Sequence, residues 1–220
     1  MTEPTERFRD LTITEFIDRL ASPAPVPGGG SASAISGALA AALVRMVAAL
    51  SLGKPKYAPY EPTLQRADRV AAMALDRLLT LADEDAKAYL GLSAAFKMPH
   101  AIPDEEATRR TAIRSASREA ALAPLQVMRE CWAVLIEAEA IAGRSNLNAR
   151  SDAATAASLA DAGVRGAAAN VLINLPSVGD ERFTGETSAE VLGLLEQADD
   201  VVTRARFAAT QDELRDPESE

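Results

Sequence analysis

The sequence predicts an all-α fold, a bundle of long antiparallel helices, and three observations predict it. Apolar residues make up 48% of the 220 but aromatics only 4%, so the core is built of Ala, Leu, Val and Ile, which suits closely packed helices better than sheets. Apolar positions recur three and four residues apart through several long segments, the period of one helical face. No segment carries the alternation of period two that marks a half-buried strand.

Each element has its own signal. Thr12-Ile13-Thr14-Glu15 has capping-box spacing and opens a short helix bearing Phe16, Ile17 and Leu20, stopped at Ser22-Pro23. A second helix, capped by Ser31, runs over 31–51 with Leu39, Leu43, Met46, Val47 and Leu50 at helical spacing; its many Ala and Gly positions permit close approach by neighbours. After a break at 52–62, residues 64–96 read as one long helix. Residues 104–142 read as another, capped by Asp104 behind Pro103 and kinked at Pro124. A loop at 143–148 leads to a nearly all-apolar helix over 151–175, stopped by Pro176, whose apolar surround implies a central position or an oligomer interface. Thr187-Ser188-Ala189-Glu190 is a second capping box, opening a final helix to about Leu214. With no composition break, the chain reads as one domain over 1–220, its core at 12–210 and its acidic tail, 211–220, frayed.

Composition also excludes function classes. A net charge of -9 argues against a nucleic-acid partner, although a local basic patch can still receive an anionic ligand. Cys131 is the only cysteine, so no intramolecular disulfide and no cysteine metal cluster can form, which fits a reducing cytoplasm. The N-terminus lacks the apolar region of a signal peptide, and the Ala-rich run over 31–44 is too short and too weakly apolar for a membrane span. His100, the only histidine, sits in the loop Met98-Pro99-His100, so no histidine metal site and no Ser-His-Asp triad is expected. Cys131 and Trp132 read as core.

Four groups of residues could carry chemistry. The segment Pro23-Ala24-Pro25-Val26-Pro27-Gly28-Gly29-Gly30-Ser31 would form a stiff loop presenting bare N–H groups and the positive end of a helix dipole. It also has the composition of an ordinary connector, and it matches neither a Walker A nor a dinucleotide fingerprint. Asp85 stands where the stripe Leu78, Leu81, Asp85, Tyr89, Leu92, Phe96 demands an apolar residue. Burial would raise its pKa toward that of a proton shuttle, unless a Lys or Arg holds it ionised in a structural ion pair. Asp83 falls about 200° around the helix and faces outward, with Lys87 as an ion-pair partner. Lys54-Pro55-Lys56-Tyr57 is a basic loop able to bind carboxylates, or a solvated turn. Asn146, Asn148, Ser151 and Asp152 crowd one loop, and Asn170 and Asn174 share a face of the apolar helix, as helix-to-helix glue or as ligand contacts.

Taken in order, Phe16-Ile17-Asp18, Pro25-Val26-Pro27-Gly28-Gly29-Gly30-Ser31, Lys54-Pro55-Lys56-Tyr57, Asp83-Glu84-Asp85 with Ala88-Tyr89, Asn146, Ser151-Asp152, Asn170-Val171 and Asn174-Leu175 resemble the cyclodeaminase/cyclohydrolase family of folate enzymes over about residues 14–206. The resemblance implies an all-helical homodimer acting on one-carbon tetrahydrofolate derivatives, with no cofactor beyond the folate carrier and no metal. It implies hydrolysis of 5,10-methenyltetrahydrofolate, with formiminotetrahydrofolate cyclodeamination or non-catalytic folate binding as alternatives. On this resemblance Asp85 matches the acidic position in the proton shuttle. Lys54 or Lys56 anchors the glutamate carboxylates or acts as proton partner, beside Tyr57. Gly28, Gly29, Gly30 and Ser31 hold the pterin edge, and Asn146, Asp152, Asn170 and Asn174 complete its hydrogen bonding. His100 and Ile102 depart from the family pattern, in which a basic residue tends to follow the proline.

Overall fold

The computed structural model describes residues 6–217, and among the described residues six α-helices carry the chain and no strand is found. The cap predicted for α1 (Ile13–Leu20) forms: the Thr12 hydroxyl accepts the Glu15 N–H at 3.2 Å, and the Glu15 carboxylate accepts the Thr12 N–H at 2.8 Å. The long helices follow as α2 (Gly29–Ala49), α3 (Glu61–Phe96), α4 (Pro103–Ile141), α5 (Arg150–Asn174) and α6 (Glu181–Ala209).

α2 is the axis of the bundle and packs against α3, α4 and α5. Ser31 meets Ala82 while Arg45 meets Asp68, so α3 runs antiparallel to it. Gly29 meets Asn170 while Ser36 meets Leu159, so α5 does the same. Small residues make this closeness possible. A methyl group on Gly37 or on Gly163 would overlap the Cys131 thiol, and one on Gly166 would overlap the Ser33 hydroxyl. Leu64, Leu78, Leu81, Met128 and Leu135 are fully buried around this axis, where truncating any one to Ala costs about 2–5 kcal/mol.

Several boundaries differ from the sequence reading, each for a local reason. α2 starts at Gly29 behind Gly28, so Ser31 lies inside its first turn and is not the cap. α4 has Pro103 in its first turn behind Ile102, because the fixed φ of proline suits that position and needs no donor; Asp104 is therefore not the cap. The second capping box does not form. Thr187 is buried within α6, which starts six residues earlier where Gly179, at φ +68°, turns the chain and the Asp180 carboxylate accepts the Phe183 N–H at 3.0 Å. α2 is also long and apolar enough to span a membrane by length and composition, contrary to the reading of that run as too short; in the fold it lies against three other helices. The acidic tail is anchored as far as it is described: the Arg215 N–H reaches the Gly143 carbonyl at 2.8 Å, and Tyr60 donates to the Arg215 carbonyl. Residues 218–220 lie outside the described residues.

Candidate active site

α3 carries Asp85 to the N-terminus of α2. There the carboxylate meets the backbone of Gly30 so closely that a methyl group on that residue would overlap its atoms. The Ser31 hydroxyl lies 3.3 Å from Asp85 Oδ2 and donates to the Ala82 carbonyl at 2.9 Å. Asp85 enters no ion pair among the described residues, so the alternative of a structural salt bridge is not what the fold builds. Burial pushes its pKa up, and the Ser31 hydroxyl and N–H partly counter that push. Asp83 points elsewhere, accepting the Phe8 N–H at 2.8 Å. The expected Asp83–Lys87 pair does not form among the described residues, and Glu84 is taken by Arg77 at 2.7 Å.

The end of α5 closes this region. The Asn170 amide lies against Gly29 and donates to the Gly166 carbonyl at 2.8 Å. One turn on, the Asn174 amide donates to the Asn170 carbonyl at 2.8 Å and crosses to the Ala120 carbonyl of α4 at 2.9 Å. Asn174 is thus the interhelical glue that its position suggested. Gly28 is open, with nothing within 4 Å of where a side chain would start.

The remaining predicted residues gather at the other end. The Asn146 N–H donates to Ser51 Oγ at 2.8 Å and its side chain accepts the Asn148 N–H at 3.1 Å, tying the loop before α5 to the end of α2. Lys54 and Lys56 are exposed on a 3-10 turn over Pro55–Tyr60, with the Lys56 ammonium 5.7 Å from the Tyr57 ring centroid, and Tyr57 itself is buried. Asp152 sits in the first turn of α5. The 21 residues of α2 separate the two clusters, about 30 Å at the helical rise. Within one chain, Lys54, Lys56, Tyr57, Asn146 and Asp152 therefore do not meet Asp85, Asn170 and Gly28–Ser31.

One feature of the region was missed in the sequence. A groove of about 910 Å³ opens between α3 and α4, lined by Glu84, Lys87 and Ala88 of the α3 turn that carries Asp85 and by Glu119 and Gln126 of α4, while the Asp85 side chain itself turns away to α2. Its signal was present as Ala88, Gly91, Ala94 and Ala95, small residues that leave room where two helices would otherwise interdigitate.

A partly buried carboxylate at a helix start, open glycine backbone and a groove on the same helix pair make this the candidate site of a helical enzyme. The model of the formiminotransferase-cyclodeaminase family matches residues 12–192, and the chain belongs to that family. It is 40% identical over 187 residues to a methenyltetrahydrofolate cyclohydrolase of Methylorubrum extorquens, covering 85% of this chain and 90% of that one. It is 32% identical over 198 residues to the formimidoyltransferase-cyclodeaminase of Rattus norvegicus, covering 89% of this chain but 36% of that longer one. A solved formiminotetrahydrofolate cyclodeaminase of Thermotoga maritima superposes with a TM-score of 0.81 at 31% identity, covering 91% of this chain and 96% of that one.

Proposed function

We propose that the chain hydrolyses 5,10-methenyltetrahydrofolate to 10-formyltetrahydrofolate. The observation that carries this is Asp85, a partly buried carboxylate with no cation partner among the described residues, placed beside open backbone at the start of α2, with a groove of about 910 Å³ along the same stretch of α3. The methenyl bridge is a cation that such a carboxylate stabilises. Water attacks the bridging carbon while Asp85 takes one of its protons. The tetrahedral carbon then collapses: the bond to N5 breaks, the protonated Asp85 returns its proton to N5, and the hydroxyl proton leaves to solvent as the formyl group forms on N10. The near full-length likeness to a cyclohydrolase supports this outcome.

The likeness to cyclodeaminases favours a second reading, in which N10 attacks a formimino carbon and ammonia leaves. Both reactions pass through a tetrahedral carbon between nitrogens and need the same shuttle. We also propose that the chain acts as a homodimer. The outward face of α2 exposes Leu39, Met46 and Leu50, and an antiparallel copy along that face would bring the partner's basic loop to the end of α2 at which Asp85 lies, drawing together the clusters that one chain keeps apart. Mixing the purified protein with each folate and following the near-ultraviolet absorbance of the methenyl group decides between them. Its loss identifies the hydrolase, its appearance from formiminotetrahydrofolate identifies the cyclodeaminase, and no change with either defeats both.

A further inference from the structure

Ser31 is fully buried and Gly30 is buried beneath the Asp85 carboxylate. Neither is placed to touch a substrate, whereas Gly28 faces open space. The Ser31 hydroxyl has one proton and two acceptors in reach, the Ala82 carbonyl at 2.9 Å and Asp85 Oδ2 at 3.3 Å. When Asp85 is ionised, the hydroxyl can turn its proton to the carboxylate. When Asp85 is protonated, the acid can donate to the hydroxyl oxygen while the hydroxyl donates to Ala82. Both protonation states are therefore satisfied by rotation about one bond, and the Ser31 N–H also favours the ionised state.

We propose that Gly30 and Ser31 are positioning residues, a seat that holds the Asp85 carboxylate in either protonation state, and that they act on substrate only through Asp85. The kinetic part of this inference rests on the acid–base reading above; the seat itself does not. The absence of a side chain at position 30 is what lets the carboxylate reach the start of α2, so the glycine-rich segment divides into an outer part at Gly28 and Gly29, open to a ligand, and an inner part built for Asp85. The charged neighbours on α3 are engaged elsewhere, Asp83 with the Phe8 N–H and Glu84 with Arg77, while Lys87 lines the groove. From α5 the nearest polar group is the neutral Asn170 amide, against Gly29. From α4, Glu119 lines that groove with Lys87, and the upward shift of Asp85 comes from burial, countered by Ser31.

The test is the carboxyl titration of Asp85 by carbon-13 NMR in aspartate-labelled, folate-free protein, for the native chain and for Ser31→Ala, Ser31→Thr and Gly30→Ala, with Asp85→Asn assigning the signal. Losing the hydroxyl donor should displace the Asp85 midpoint to higher pH in Ser31→Ala, and Ser31→Thr should bring it back. In turnover of the methenyl substrate, the acid limb of kcat/KM should move with the midpoint while KM stays within about twofold. Gly30→Ala should eject the carboxylate and return the midpoint toward the ordinary range; should it fail to fold, Ser31→Ala still decides. An unmoved midpoint in Ser31→Ala, or a raised KM with an unmoved midpoint, overturns the seat. Displaced midpoints in a protein that turns over neither folate would uphold the seat and sink the acid–base reading instead.

Discussion

Asn174 on α5 hydrogen-bonds the Ala120 carbonyl of α4 at 2.9 Å, and that carbonyl is the one Pro124 leaves without a helical partner. In an uninterrupted helix the N–H of residue 124 would bond to it, and proline has none. The expected defect in α4 is thus repaired from outside, and α4 continues through Pro124 to Ile141. Asn174→Ala should destabilise the protein by about 1–3 kcal/mol, the penalty for a partly buried acceptor left unpaired. In a Pro124→Ala background, where the carbonyl regains a helical donor, the same substitution should be less harmful. Urea unfolding of the four variants checks the coupling, and equal losses in both backgrounds would show that Asn174 acts independently of the proline.

Asp85→Asn should lower turnover by about 10² or more while leaving the fold intact, the scale of losing an acid–base group. The same substitution should raise thermal stability at neutral pH. Burial lifts the folded pKa of Asp85 above its ordinary value, so folding favours the protonated form. That contribution is complete below the unfolded pKa and disappears as pH rises through the folded one. Asn imitates the protonated form at every pH, so its advantage over the native chain should be largest near pH 7–8 and shrink toward pH 4. A melting-temperature difference that stays constant with pH would show that Asp85 is not strained by ionisation.

Helices were legible wherever a long apolar stripe or a reciprocal cap wrote the signal locally, as at Thr12 and Glu15. The starts of α2 and α6 were not, because Ser31 and Thr187 carry capping chemistry that tertiary structure uses otherwise: Ser31 serves a carboxylate from α3, and Thr187 lies in the core. Asp85 stood out because a charge in an apolar stripe demands an explanation. What could not be read was distance. The Lys54–Tyr57 and Gly28–Ser31 clusters look like parts of one site along the sequence, and only the length of α2 shows that a single chain holds them apart. The groove escaped notice because an Ala and Gly run looks the same whether a helix packs on it or leaves it open.

Cys131 should be inert in the native state. Its thiol fills the notch between Gly37 and Gly163 and is fully buried, and desolvation pushes its pKa up to about 12, so almost no thiolate exists at neutral pH. A disulfide reagent should react with no more than a few per cent of the protein before unfolding and with one thiol per chain after it. Fast labelling of the folded protein would mean that α2 and α5 separate readily.

Lys56→Ala should weaken binding of polyglutamylated folate more than of the monoglutamate, since an ammonium that meets carboxylates is worth more where there are more of them. Because about 30 Å of α2 lies between Lys56 and Asp85 in one chain, that effect on the Asp85 site requires the lysine of a second copy. Asp85→Asn and Lys56→Ala proteins should then complement each other. Unfolded and refolded together, half of the dimers are mixed, and each mixed dimer has one site with both native residues, so about a quarter of native turnover should return from two impaired parents assayed with polyglutamate at limiting concentration. If the mixture shows only the average of its parents, the two clusters do not form one site across copies, and Lys56 acts, if at all, at the far end of its own chain.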